Sequence, residues 1–228
     1  GVTKSKPKSV DPNEVKNIVE AIKHLKLQYV VITMVTRDDL CDGGAEHLAK
    51  IIREIKNEFK DILVEILISD FYSFSNRKNY EDLLKYNVKC LLDAGVDVIG
   101  HNLETSKNLY SKIRKISDYD RSLFVLKTIK QVNNDIITKS GIMLGLGETK
   151  EEIEESLKDI YKTGCDILTL GQYLMPSKDH YQLDRYIDEE EFKYWKNYAI
   201  DLGFRAVESS PFVRSSYKAK EIYEKLKG

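Results

Sequence analysis

The sequence predicts an α/β protein with parallel strands, and three observations carry the prediction. Short apolar runs rich in β-branched residues alternate with segments whose apolar residues recur at helical spacing. Helix-start motifs and terminal glycines punctuate the boundaries, leaving short loops that suit right-handed crossovers. The chain has 228 residues, 42% of them hydrophobic, which suits one domain with a substantial core.

The elements follow in order. Asp11-Pro12-Asn13-Glu14 offers an N-cap, a first-turn proline and an acid, ahead of Val15, Ile18, Val19 and Ile22, so a helix is expected to about Leu27. The run at 29–35 reads as a strand covered on both faces. Helical spacing returns in Leu48, Ile51, Ile52, Ile55 and Phe59, followed by a strand at 62–68. A helix around Leu83, Leu84, Val88, Leu91 and Leu92 ends at Gly95, and a strand runs from Val96 to Gly100. A helix at about 119–132 precedes a strand at 136–144. Thr149 and Glu152 form a capping box for a helix carrying Ile153, Leu157 and Ile160, which Gly164 closes before a strand at 166–170. Asp188 and Glu191 cap a helix that buries Phe192, Trp195 and Ala199 and ends at Gly203. A short extended piece and a charged, exposed helix from Lys218 complete the chain. This alternation fits an open doubly wound sheet or a full or partial barrel, and the pattern alone does not choose between them.

Composition removes several function classes. Thirty-six basic and thirty-seven acidic side chains nearly cancel, so no net field draws the protein to nucleic acid or to an anionic membrane. No apolar run approaches the roughly 20 residues that span a bilayer, and the opening residues have no signal-peptide core, so a cytoplasmic protein is expected. Cys41, Cys90 and Cys165 lie far apart, with neither a disulfide framework nor C-x-x-C spacing, and read as ordinary reduced residues. The four histidines show no zinc spacing.

In either architecture a site forms at the C-terminal ends of the strands. After the first strand, charged residues lead into Asp42-Gly43-Gly44, where backbone can approach a ligand, or where Asp42 simply caps a turn. After Gly100, Asn102 and Glu104 point the same way from an extended backbone and suit a vicinal diol; an Asx-turn and helix cap suits the same stretch equally well. Gly141, Gly145 and Gly147 with Glu148 end a strand and open a capped helix, without the lysine of a P-loop. Gln172 follows the next strand, and Arg214-Ser215-Ser216-Tyr217 lies near the C-terminus. These residues alone name no reaction.

At these motifs the chain closely resembles the lipoyl synthases. YVVITMVTRDDLCDGGAEH, HNLET, TKSGIMLGLGET, DILTLGQYLMPS and VRSSY look like family signatures, in family order along nearly the whole chain. The resemblance implies an α/β fold of the radical S-adenosylmethionine (SAM) type, a partial TIM-like (β/α)6 barrel. It implies one core domain over residues 1–228, with a C-terminal extension from about 204 carrying the RSSY motif. Gly141, Met143, Gly145 and Glu148 match the superfamily's G-x-I-x-G-x-x-E pattern, associated with adenine contact and barrel packing. Asn102 and Glu104 match positions that contact the SAM ribose, and Asp42, Gly43 and Gly44 match the loop facing the methionine amino group. Gln172 joins this cofactor-binding set, and Ser216 matches the serine that ligates iron of an auxiliary cluster.

The activity so implied is insertion of two sulfur atoms at C6 and C8 of an octanoyl group on a carrier protein. It would use SAM, two 4Fe–4S clusters and an electron donor such as ferredoxin or flavodoxin. The family's cluster-binding cysteines precede the segment matching Gly1-Val2-Thr3. The chain is therefore expected to lack the N-terminal strand and the cluster loop, and to be inactive by itself. Cys41 stands where the family has proline, and Gly100 where it has asparagine. A biotin-synthase-like enzyme is disfavoured by the RSSY and RDDL-x-DGG motifs; a non-catalytic SAM-binding protein is the alternative from another class.

Overall fold

The computed structural model describes residues 7–75 and 77–228. They fall into two compact units, one of residues 7–100 with Gln131–Ile136, the other of His101–Lys130 with Ile137–Gly228.

The first unit contains α1 (Glu14–Leu25), β1 (Tyr29–Thr33), α2 (Ala45–Glu58), β2 (Leu63–Leu67), α3 (Tyr80–Asp93) and β3 (Val98–Gly100). Its strands are parallel and in chain order, with Tyr29 opposite Leu63, and Glu65 opposite Val98. The periodic apolar residues of the helices meet the strand runs as expected: Ile52, Ile55, Val64, Ile66, Leu84, Leu91 and Val98 are fully buried. Asp97 joins β2 to the start of β3, accepting from the Val64 amide at 2.7 Å and from Lys56 Nζ at 2.6 Å.

Two expectations fail here. α1 begins at Glu14 with Asn13 as N-cap; the Asp11 carboxylate instead accepts from the Asn13 amide, an Asx-turn one step ahead of the helix. β1 is half-buried along most of its length rather than covered on both faces. It stands first in the strand order and, among the described strands, pairs with β2 alone, so it is an edge strand.

The second unit contains α4 (Lys107–Ile113), α5 (Tyr119–Val132), β4 (Ile137–Leu144), α6 (Lys150–Lys162), β5 (Ile167–Gln172), α7 (Glu189–Leu202), β6 (Ala206–Ser209) and α8 (Ala219–Lys227). β4, β5 and β6 are parallel, with Gly141 opposite Thr169, and Leu168 opposite Val207. β4 and β5 are buried nearly throughout, without alternation, and enclose Thr138, Lys139, Ser140, Thr169 and Gln172 along with their apolar residues. Leu126, Leu144, Leu157, Leu170, Phe192 and Trp195 form the centre of one core. The Thr149–Glu152 capping box is present in both directions. Such a cap contributes on the order of 1 kcal/mol. α8 was expected to be exposed but buries Ala219 and Ile222.

Candidate functional site

The second unit gathers most of the candidate residues at the C-terminal ends of its strands. Leu103 is fully buried in the core, while Asn102 and Glu104 on either side of it are half-buried. Strand-like pairing fixes that segment: the Glu104 amide donates to the Gly141 carbonyl at 2.9 Å, and the Met143 amide donates to the Glu104 carbonyl at 2.9 Å. Asn102 Nδ2 donates to Glu104 Oε1 at 3.1 Å, making the two side chains one polar unit.

Glu104 has φ of 74°, a left-handed conformation uncommon for a non-glycine residue. Backbone strain of this kind concentrates where a side chain must be aimed. Burial raises the Glu104 carboxyl above its ordinary range, against the opposing pull of the Arg114 charge and the Asn102 hydrogen bond. Arg114, at the end of α4, also donates to the Asn102 carbonyl at 3.2 Å and to the Tyr110 hydroxyl at 2.9 Å.

Gly141 lets Asn102 lie against β4. A Cβ there would come within 2.6 Å of Thr169 Oγ1 and 3.2 Å of Asn102 Oδ1. Gly145 turns the chain at φ of 96°, and the Glu148 carboxylate closes that turn by accepting from the Gly145 amide at 2.7 Å and the Leu146 amide at 2.8 Å. Glu148 is thereby engaged with backbone. Met143 is half-buried against Leu109, Leu146 and Tyr173.

Gln172 is buried and its amide is occupied. Nε2 donates to the carbonyls of Leu144 at 3.1 Å and Arg185 at 3.2 Å, while Oε1 accepts from the Ile187 amide at 2.8 Å. It ties the 185–187 segment to the end of β4. The RSSY segment packs beside β5: the Gln172 amide donates to the Pro211 carbonyl at 3.3 Å, and Arg214 donates to the Val213 carbonyl at 2.7 Å. Ser216 is exposed, whereas Ser215 is half-buried and its Oγ accepts from Asn102 Nδ2 at 3.1 Å. Arg114 is the residue that sequence reasoning missed; Ser215 was named within the RSSY motif, as the alternative to Ser216, but without its contact to Asn102.

Asp42, Gly43 and Gly44 belong to the other unit. The Asp42 carboxylate accepts from the Gly44 amide at 3.0 Å and the Glu46 amide at 2.8 Å, the capping arrangement weighed from the sequence. Asn87 Nδ2 donates to the Asp42 carbonyl at 2.8 Å and holds the turn. Gly43 has φ of 64°, and a Cβ on it would lie 2.8 Å from Phe71 Cα. Nearby, a cleft of about 270 Å³ is lined by Glu14, Met34, Arg37, Gly44 and His47 among others.

Among the described residues no three His, Cys, Asp or Glu side chains are grouped so as to hold a metal. Cys41 is exposed, Cys90 half-buried and Cys165 buried. Burial, with help from the Asp166 charge, pushes the Cys165 thiol up to about 12, so it is no thiolate donor. The described cysteines do not form a set that fits an iron–sulfur cluster.

Parallel strand–helix units with a polar grip at the strand ends match a known class. The family model described as Radical SAM superfamily matches residues 2–160, and the chain belongs to that superfamily. Methylornithine synthase superposes with a TM-score of 0.63 at 13% identity, covering 98% of this chain and 74% of that one. Streptococcus suis SuiB bound to S-adenosylmethionine superposes with a TM-score of 0.61 at 14% identity, covering 90% of this chain and 45% of that one. These likenesses show the fold, α/β and TIM-like with parallel strands.

Sequence relatives are more specific. The lipoyl synthase of Caldicellulosiruptor saccharolyticus is 51% identical over 96% of this chain and 74% of its own length. That of Alkaliphilus metalliredigens is 47% identical over 95% and 71%, and that of Aquifex aeolicus 46% identical over 96% and 76%. The chain belongs to the lipoyl synthase family, radical SAM enzymes of lipoyl cofactor synthesis. No helix among the described residues is long and apolar enough to cross a membrane.

Proposed function

We propose that Asn102 and Glu104 bind the ribose diol of SAM in the synthesis of a lipoyl group, by insertion of two sulfur atoms at C6 and C8 of a protein-bound octanoyl chain. The observation that carries this is the Asn102–Glu104 pair, two part-buried polar side chains joined at 3.1 Å. A carboxylate accepts from both hydroxyls of a vicinal diol, and the carboxamide oxygen beside it adds a further acceptor. SAM, when bound and reduced, supplies the radical that makes an unactivated C–H bond reactive.

The residues of this chain bind and orient. Gly141 leaves room for the Asn102 carboxamide, Gly145 and Glu148 shape the turn after β4, and Met143 offers a half-buried apolar surface to the adenine. Gln172 supports the same site by fixing the segment opposite Gly145. Asp42, Gly43 and Gly44 are assigned to the methionine amino group on the family resemblance of their loop. Ser216, an exposed hydroxyl on the C-terminal extension, is assigned to iron of a second cluster. The described residues hold no grouped thiolates for either 4Fe–4S cluster. The substrate is an octanoylated lipoyl carrier protein or lipoyl domain, the electron donor a ferredoxin or flavodoxin, and the compartment the cytoplasm.

Calorimetry with SAM tests the diol site. Glu104→Ala should weaken binding by about tenfold or more, the loss of a charge-assisted hydrogen bond. Unchanged affinity removes Glu104 from the site. In the assembled enzyme, Ser216→Ala should still form 5′-deoxyadenosine while losing lipoyl product; normal product yield refutes the iron assignment.

A further inference from the structure

The carboxamide of Asn102 is held at its nitrogen by two acceptors, Glu104 Oε1 and Ser215 Oγ, each at 3.1 Å. Its oxygen then lies on the Gly141 side, 3.2 Å from where a Cβ would stand. The terminal torsion of an asparagine is broad and roughly two-fold, so a single acceptor fixes it poorly. A reversed amide would set its oxygen against the Glu104 carboxylate, two acceptors facing each other. Glu104 thus selects the orientation, and Ser215, 113 residues away in the chain, gives the nitrogen its second acceptor and fixes the torsion.

The serine is itself well placed for this. Tyr217 N donates to the Arg214 carbonyl at 2.9 Å and closes a turn around Ser215, while Arg214 donates to the Val213 carbonyl at 2.7 Å. Ser215 is half-buried against Asn102, whereas the next serine is exposed. The two serines of the motif thus face different surroundings and have separable tasks.

We propose that Ser215 is a positioning residue for nucleoside binding, holding the Asn102 carboxamide so that Asn102 and Glu104 together meet the vicinal diol. This rests on the ribose assignment made above, and makes the C-terminal extension part of the SAM subsite. Ser215 does not touch the ligand; it acts through Asn102.

The test is calorimetric titration of the folded protein with 5′-deoxyadenosine and with 2′,5′-dideoxyadenosine, which lacks one hydroxyl of the diol. Ser215→Ala should weaken 5′-deoxyadenosine roughly 3- to 10-fold, the worth of one neutral hydrogen bond. It should leave 2′,5′-dideoxyadenosine unchanged, and Ser215→Thr, which keeps the hydroxyl, should restore the difference. Equal weakening of both ligands would mean a merely structural serine and overturn the proposal, as would no change in either. Glu104→Gln separates the two levels. If it abolishes discrimination between the nucleosides while Ser215→Ala does not, the positioning role fails alone. If the unmodified protein binds both nucleosides equally, the ribose assignment fails with it.

Discussion

Glu104 carries two penalties at once, a left-handed backbone and a carboxyl in a desolvated place. Its folded-state carboxyl titrates above the unfolded one, so ionisation at neutral pH works against the fold at this position. Glu104→Gln is therefore expected to leave the melting temperature unchanged or raise it, while weakening diol binding; a marked fall in melting temperature would contradict this trade of stability for function. Two glycines allow a graded comparison. Gly145→Ala adds a Cβ 2.4 Å from the Arg185 carbonyl at positive φ, and should cost about 3 kcal/mol or more, because backbone cannot move aside. Gly141→Ala meets side-chain oxygens instead, and should cost on the order of 1 kcal/mol in urea unfolding while displacing Asn102. Asn102 and Glu104 were legible as polar residues just past the end of β3, a local property, although Glu104 departs from the extended backbone the sequence reading assumed. Arg114 was illegible, and Ser215 was read from its motif without its contact to Asn102, because both contacts arise from tertiary packing across 12 and 113 residues.

Among the elements, those with strong local signals were legible: α6 with its capping box, α7 with its Asp188 cap, and β4 and β5 with their Ile- and Leu-rich runs. α4 was missed because seven residues, only Leu109 and Tyr110 of them buried, carry less than two turns of periodicity. Burial on both faces of β1 was wrongly expected, since a β-branched run shows strand preference but not whether a strand has neighbours. The start of β5 offers a test of how elements are fastened. Asp166 accepts from the Thr138 amide at 2.8 Å, from Lys130 Nζ at 3.0 Å and from Arg205 at 3.0 Å, joining α5, β4 and the start of β6. Burial opposes its charge, yet the Thr138 amide and the two cations hold its carboxyl below the ordinary range. That stability is fully present above the unfolded carboxylate pKa of roughly 3.9, and is lost as pH falls through it toward the folded value. Asp166→Asn should cost about 3 kcal/mol at neutral pH, because Lys130 and Arg205 are left facing each other without their counter-charge. Its thermal stability should also fall less steeply on acidification than that of the unmodified protein; parallel pH profiles would remove Asp166 from the acid response.

At the scale of the whole molecule, family membership and cysteine placement make separate demands. Radical SAM chemistry needs an iron–sulfur cluster, and clusters are held chiefly by grouped thiolates. The chain's three cysteines stand on different segments: Cys41 in the loop before α2, Cys90 within α3, Cys165 just ahead of β5. Cys165 is buried, its thiol donates to the Ile167 carbonyl, and it remains protonated far above neutral pH. Cys41 is exposed and can react, but an isolated thiolate binds iron too weakly to assemble four metal centres. Anaerobic reconstitution of these 228 residues with iron and sulfide is therefore expected to give no stoichiometric 4Fe–4S absorption, no cluster EPR signal after dithionite, and no 5′-deoxyadenosine from SAM. Nucleoside binding is expected to survive, since Asn102, Glu104 and Ser215 need no metal to hold their geometry. Calorimetry and cluster spectroscopy on one preparation would thus separate recognition of the nucleoside from generation of the radical. Stoichiometric cluster on this chain would show that its cysteines are ligands after all, and would overturn their assignment as ordinary residues.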